Sequence, residues 1–233
     1  FGANFALYYL MLKGNVKSAL KDGELRFYIG VVTASVILVT LNIYGPVYES
    51  FWQSLRHAFF QVTTIITTTG FATSDFNLWP TFSKFILFIL MFIGGCAGST
   101  GGGLKNVRIF LLLKVMKREL MKIIHPRSVY SVRMGGRIVE EETLSGVMAF
   151  FFAYIFIFTI SVLVISLDGF DFETSISAVA GTIGNIGPGL GLVGPMGNFS
   201  ELSDLSKLVL SMCMLVGRLE IYPILLLLVP SFW

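Results

Sequence analysis

The sequence predicts an all-α integral membrane protein built from two tandem helix–re-entrant half-helix–helix repeats. Three observations carry that prediction. Of the 233 residues 55% are hydrophobic and only 13% charged, about half the charge of a soluble domain, and the mean hydropathy is +0.78. Four apolar segments are long enough to cross a bilayer. Two Thr/Gly turns, "TTTGF" at 67–71 and "GTIGNIGPG" at 181–189, each follow an apolar-leaning segment too short to cross.

The elements follow in order. "FYIGVVTASVILVTLNIY" (27–44) is bounded by Arg26 and Gly45-Pro46. At ~1.5 Å per residue it reaches about 27 Å, close to the ~30 Å of a hydrocarbon core. "FWQSLRHAFFQVTTII" (51–66) is the first half-helix. "TFSKFILFILMFIGGCAG" (81–98) begins a second span, which glycines interrupt before "LKNVRIFLLLKVM" continues it. The third span, 146–167, carries no charge. "DFETSISAVAG" (171–181) is the second half-helix, and 205–230 is the fourth span, with Arg218 and Glu220 near its middle and Pro223 expected to kink it.

Basic residues set the orientation. Of the 17 Lys and Arg, 13 lie before the first span or between the second and third, so both regions face the cytoplasm. The stretches 45–80 and 168–204 then face out. They carry Glu49, Asp75, Asp168, Asp171, Glu173 and Glu201, before the boundary residue Asp204, against Arg56 alone, a field that attracts cations.

The outer stretches repeat one layout, half-helix then polar turn, and setting Thr68-Thr69-Gly70-Phe71 against Thr182-Ile183-Gly184-Asn185 aligns the two. Such internal duplication is common in transporters. Non-helical backbone at membrane depth persists only where protein or a watery cavity surrounds it. A helix that stops half-way points its partly negative C-terminus at the bilayer centre. Backbone carbonyls in the following turn, with Gly allowing φ > 0, then suit a large monovalent cation. The plainer reading is that Thr and Gly only let helices pack closely; two such turns in register favour the cation site.

Below the first turn, "GGCAGSTGGGLKN" places Gly94, Gly95, Gly98, Gly101, Gly102 and Gly103 around Ser99 and Thr100. Each glycine costs a helix about 1 kcal/mol relative to Ala, so the run should unwind. It misses the phosphate-loop pattern, because Leu104 displaces the Lys and Asn106 replaces the hydroxyl residue. An arginine at mid-membrane costs at least ~2.5 kcal/mol, so Arg218 must face protein or water. It is either a structural partner, Glu220 being one candidate, or a fixed charge that slows cations.

Other classes fit poorly. There is no solvated basic face with nucleic-acid reading elements, so no nucleic-acid partner is expected. His57 and His125 are the two histidines, without metalloprotease spacing or paired carboxylates, so no enzyme is expected. Cys96 and Cys213 read as buried free thiols. The chain opens without Met and with no signal-peptide pattern, and it reads as a fragment.

Four stretches, "TTTGFATSDFNLWP", "GGCAGSTGGGLKNVRI", "GTIGNIGPGLG" and "GRLEIYPILLLL", together resemble the membrane subunit of the Trk/Ktr/HKT superfamily of potassium transporters, most closely the bacterial Trk type. The resemblance implies the potassium-channel arrangement of four helix–pore-helix–helix units, of which this chain would hold the third and fourth. Residues 1–26 would end the preceding unit and link to 27–124, 125–142 would be a cytoplasmic loop, and 143–230 the last unit. It further implies a K⁺ filter lined by Thr67, Thr68, Thr69, Gly70 and Phe71 in one quadrant and by Gly181, Thr182, Ile183, Gly184 and Asn185, within 181–187, in another. Residues 94–103 would be an intramembrane gate, with Arg218 beside it. Implied too are K⁺ as the transported ion, a lipid-embedded place in the bacterial cytoplasmic membrane, an N-terminal half of the same polypeptide, a homodimer and a cytosolic nucleotide-binding regulatory ring. A proton- or sodium-coupled potassium symporter of the same fold stays open beside uncoupled flux.

Overall fold

The computed structural model describes residues 2–128, 130–219 and 221–227. Short helices α1 (Phe5–Leu12) and α2 (Val16–Ala19) lead into α3 (Gly23–Ile43). The side chain of Asp22 caps α3 by accepting from Leu25 N at 2.8 Å. Next come α4 (Phe51–Ile66), α5 (Thr81–Phe92) and α6 (Asn106–Ile124), then a two-stranded hairpin pairing Arg133–Met134 with Arg137–Ile138. The second repeat comprises α7 (Glu141–Ile165), α8 (Phe172–Ile183), α9 (Asp204–Leu219) and α10 (Ile221–Leu227).

Two helices of the described residues, α3 and α7, are long and apolar enough to cross a membrane unbroken. The second predicted span is broken. Helix α5 stops at Phe92, and residues 94–105 leave the helical path before α6 begins, because the glycine run cannot sustain it. In the fourth predicted span, helix is described over Asp204–Leu219 and Ile221–Leu227. Glu220, offered above as a partner for Arg218, lies outside the described residues.

The first half-helix keeps the bounds read from the sequence. Ser54, Ala58, Gln61, Val62 and Ile65 form its buried face, the spacing of one helical stripe. That stripe packs on Val39 and Ile43 of α3 and on Leu87, Leu90 and Met91 of α5. Helix α8 is buried from Thr174 to Ile183 except Ile176, so small residues (Ser175, Ser177, Ala178, Ala180, Gly181) suit it. Its neighbours are Tyr154 and Ile165 of α7 and Leu210 and Cys213 of α9. Ala180, Ile186 and Leu190 extend into the first repeat's core and join the two repeats. Leu111, Val115, Val132 and Leu144 seat the hairpin against α6 and α7. Cys96 and Cys213 are free and buried.

Most of the acids of 45–80 and 168–204 hold the scaffold. Asp75 accepts from Asn77 N, Asp168 from Ser203 N, and Glu173 bridges Lys84 at 2.7 Å. The Asn77 amide clamps Gly191 across the repeats, donating to its carbonyl (2.9 Å) and accepting its N–H (3.0 Å). Asp171 caps α8, accepting from Thr174 N (3.1 Å) and Thr174 Oγ1 (2.5 Å), and these bonds hold its carboxyl below the ordinary value. Losing such a cap costs about 1 kcal/mol, so Asp171→Ala should lower the thermal midpoint of the purified protein. A depressed carboxyl stabilises above its unfolded pKa and loses that contribution as pH falls through its folded pKa. The gap between native and variant should therefore close as the pH drops below about 4.

Candidate functional site

Both half-helices end in the same hydrogen-bonded turn. In the first, Thr67 N donates to Thr63 O, Thr68 N to Ile65 O, and Thr69 N and Gly70 N both to Thr64 O. In the second, Gly184 N donates to Ala180 O, Asn185 N to Thr182 O, and Ile186 N and Gly187 N both to Gly181 O. Thr68 (φ 53°) and Asn185 (φ 54°) are the two non-glycine residues with positive φ among those described, and Gly70 (79°) and Gly187 (110°) follow each by two. The structural equivalence therefore pairs Gly70 with Gly187, three residues beyond the sequence pairing with Gly184. Gly181, Thr182 and Ile183, read above as turn residues, form the buried last turn of α8. Its non-helical segment starts at Gly184, because the helix continues to Ile183 before it is capped.

Within the described residues, no hydrogen bond ends on the carbonyl oxygens of Thr67–Phe71 or of Gly184–Pro188. The threonine hydroxyls are engaged. Thr67 Oγ1 donates to Thr63 O (2.6 Å), which leaves Thr69 Oγ1 as donor in its 2.8 Å bond to Thr67 Oγ1. Oxygen available for a cation is therefore mainly backbone carbonyl, at the partly negative ends of two helices. The segments lie side by side. A Cβ on Gly70 would come within 2.1 Å of Ile186 O, so this position needs glycine for the contact as well as for its φ. Phe71 is 72% exposed, and Thr69 is exposed too, which places this rim on an open face.

The glycine run lies against both turns. Its ends are joined, Gly94 N donating to Leu104 O (2.8 Å) and Asn106 N to Gly95 O (3.0 Å), so residues 94–105 form a closed loop. Gly98 (φ 71°) turns the chain and its carbonyl accepts Phe5 N, while Ser99 Oγ is buried without a partner among the described residues. Gly102 N donates to Thr68 Oγ1 at 3.1 Å, and a Cβ on Gly102 would lie 2.6 Å from Gly184 O. Gly101 is buried and Gly103 (φ 67°) adjoins Gly184.

Cations hold three successive loop carbonyls. Arg218 Nη1 donates to Thr100 O at 2.7 Å, and Lys105 Nζ reaches Ser99 O (3.5 Å) and Gly101 O. From behind, the buried carboxylate of Glu24 accepts Ala97 N at 2.6 Å. Asn185 Nδ2 donates to Met214 O (3.0 Å), tying the second turn to the helix that carries Arg218. Lys105, Glu24 and the Asn185 side chain had no such role in the sequence reading. An acid at the mouth of a span, as in "KDGELR", was the available signal for Glu24.

This geometry has a solved counterpart. The crystal structure of the potassium transporter TrkH from Vibrio parahaemolyticus matches 99% of this chain and 50% of its own, with TM-score 0.90 and 40% identity. The family model described as TrkH, cation transport protein, matches residues 28–233. The chain belongs to the TrkH family. Relatives include the Trk system potassium uptake protein TrkH of Salmonella typhimurium, 42% identical over 100% of this chain and 48% of the relative. TrkG of Escherichia coli K12 is 36% identical over 99% of this chain and 47% of the relative. The chain thus spans about half the length of the curated relatives it matches. It is an all-α protein of the bacterial cytoplasmic membrane.

One contact fixes how this TrkH-family chain joins turn to helix. A Cβ on Gly217 would sit 1.9 Å from Ile183 O and 2.7 Å from Asn185 Nδ2. Gly217→Ala should push α9 off the second turn and cost about 1–3 kcal/mol, the range for overpacking. A thermal melt of the detergent-solubilised protein checks this.

Proposed function

We propose that the chain supplies two quadrants of a potassium-conducting pore, with the carbonyls of Thr67–Gly70 and Gly184–Gly187 as filter. The observation that carries this reading is the repeated turn, whose free carbonyls stand at two helix C-termini brought together at Gly70 and Ile186. Such oxygens replace the hydration shell of a large monovalent cation. The two remaining quadrants would come from the half of the relatives' length that this chain does not match. Residues 94–105 act as the gate, and Arg218 and Lys105 place positive charge there, opposing cation passage. A homodimer and a cytosolic regulatory ring complete the proposal, the ring meeting the basic surface of α6 and the hairpin (Lys114, Lys117, Arg133).

Proton- or sodium-coupled symport by the same fold is the alternative reading, and a proton-coupled form would use an intramembrane acid. Glu220 lies outside the described residues, and the buried Glu24 is committed to Ala97 N–H.

Two measurements on the full-length protein in liposomes test the reading. Gly70→Ser adds a side chain at φ 79° against Ile186 O, so the K⁺/Na⁺ permeability ratio should fall; an unchanged ratio removes the filter assignment. Arg218→Ala deletes a charge-assisted bond, a class worth about 1.5–3 kcal/mol. Basal Rb⁺ uptake should rise about tenfold or more, and uptake at the native rate would exclude the barrier role.

A further inference from the structure

Thr68 holds a conformation that its side chain disfavours. A β-branched residue at φ 53° is a true outlier, whereas Asn, which stands in the equivalent place at Asn185, tolerates it. The backbone alone therefore gives no reason for threonine. The hydroxyl does, because it accepts the N–H of the buried Gly102 at 3.1 Å. Persistent strain of this kind marks positions where surrounding structure exploits the residue.

The contact closes a circuit. The loop is held at Thr100 by Arg218 of α9 and, two residues on, at Gly102 by Thr68 of the first turn. The second turn is held to α9 at Met214, four residues before Arg218, by Asn185. Both left-handed residues thus spend their side chains on the elements beneath them: Thr68 on the loop, Asn185 on the helix that grips the loop.

We propose that the Thr68 hydroxyl is a latch that keeps the glycine loop shut, making this filter residue a positioning residue for the gate. The inference rests on the reading of residues 94–105 as the gate. Its chemical content is a division of labour in which the Thr68 carbonyl faces the ion and the Thr68 hydroxyl serves the loop. Opening must break the Gly102–Thr68 bond as well as the Thr100–Arg218 bond, and the loop then leaves as a unit.

The test is basal ⁸⁶Rb⁺ uptake by the full-length protein in liposomes without a regulatory partner. Thr68→Val keeps the shape and removes the acceptor, and uptake should rise about fivefold, the effect of one neutral hydrogen bond. Thr68→Ser, which keeps the oxygen, should return uptake toward the native rate. Thr68→Gly suits left-handed backbone and so folds where Val fails, yet it should leak as Val does. In a chain with a shortened loop, Thr68→Val should add nothing further. Native-rate uptake in both the Val and Gly variants overturns the latch, and so does an equal Val effect with the loop shortened. Failure of the gate reading looks different: loop shortening by itself would leave uptake unchanged.

Discussion

Backbone hydrogen bonding in a medium without water is the constraint on which the rest of this structure depends. A helix satisfies itself, but this chain leaves the helical path at 67–71, at 94–105 and from 184 onward. Each excursion is made tolerable by the others. The loop gives an N–H to the first turn, its neck closes on itself, and the second turn gives an amide to a carbonyl of α9. Among the described residues, the carbonyl oxygens of Thr67–Phe71 and Gly184–Pro188 are left without a hydrogen bond, the chemistry a partly dehydrated cation requires.

The same constraint explains the glycines. Three irregular segments meet within a few ångströms, and the contacts are backbone to backbone: Gly70 on Ile186 O, Gly102 on Gly184 O, Gly217 on Ile183 O. A methyl group at any of them would separate the layers. Charge does the complementary task. Lysine and arginine side chains, costly at such depth, are placed where loop carbonyls lack partners, so two liabilities offset each other.

Much of this architecture was legible in the sequence, for identifiable reasons. The half-helix at Phe51–Ile66 could be bounded because its apolar stripe is clean and its turn is marked by three threonines. The register of the second turn was missed by three residues because Thr-Ile-Gly imitates Thr-Thr-Gly in letters. The true equivalence, Thr68 with Asn185, rests on where the helix is capped. The interruption of the span that begins at 81 was legible too, because a run of glycines cannot sustain a helix. Glu24 and Asn185 stayed hidden because their partners are set by tertiary contact, Ala97 being distant in sequence from Glu24, and Lys105 because the loop's path back onto it at Ser99 and Gly101 is not written in the letters.

The joined neck of the glycine loop has a mechanical meaning. With Gly94 paired to Leu104 and Gly95 to Asn106, the stems on either side are stapled together, and whatever happens beyond the staple is mechanically isolated from them. The loop beyond the staple can lengthen or shrink over evolutionary time while α5 and α6 keep their seats. On the proposed reading of residues 94–105 as the gate, such changes would retune conductance at a hinge a few atoms wide, without rebuilding the walls.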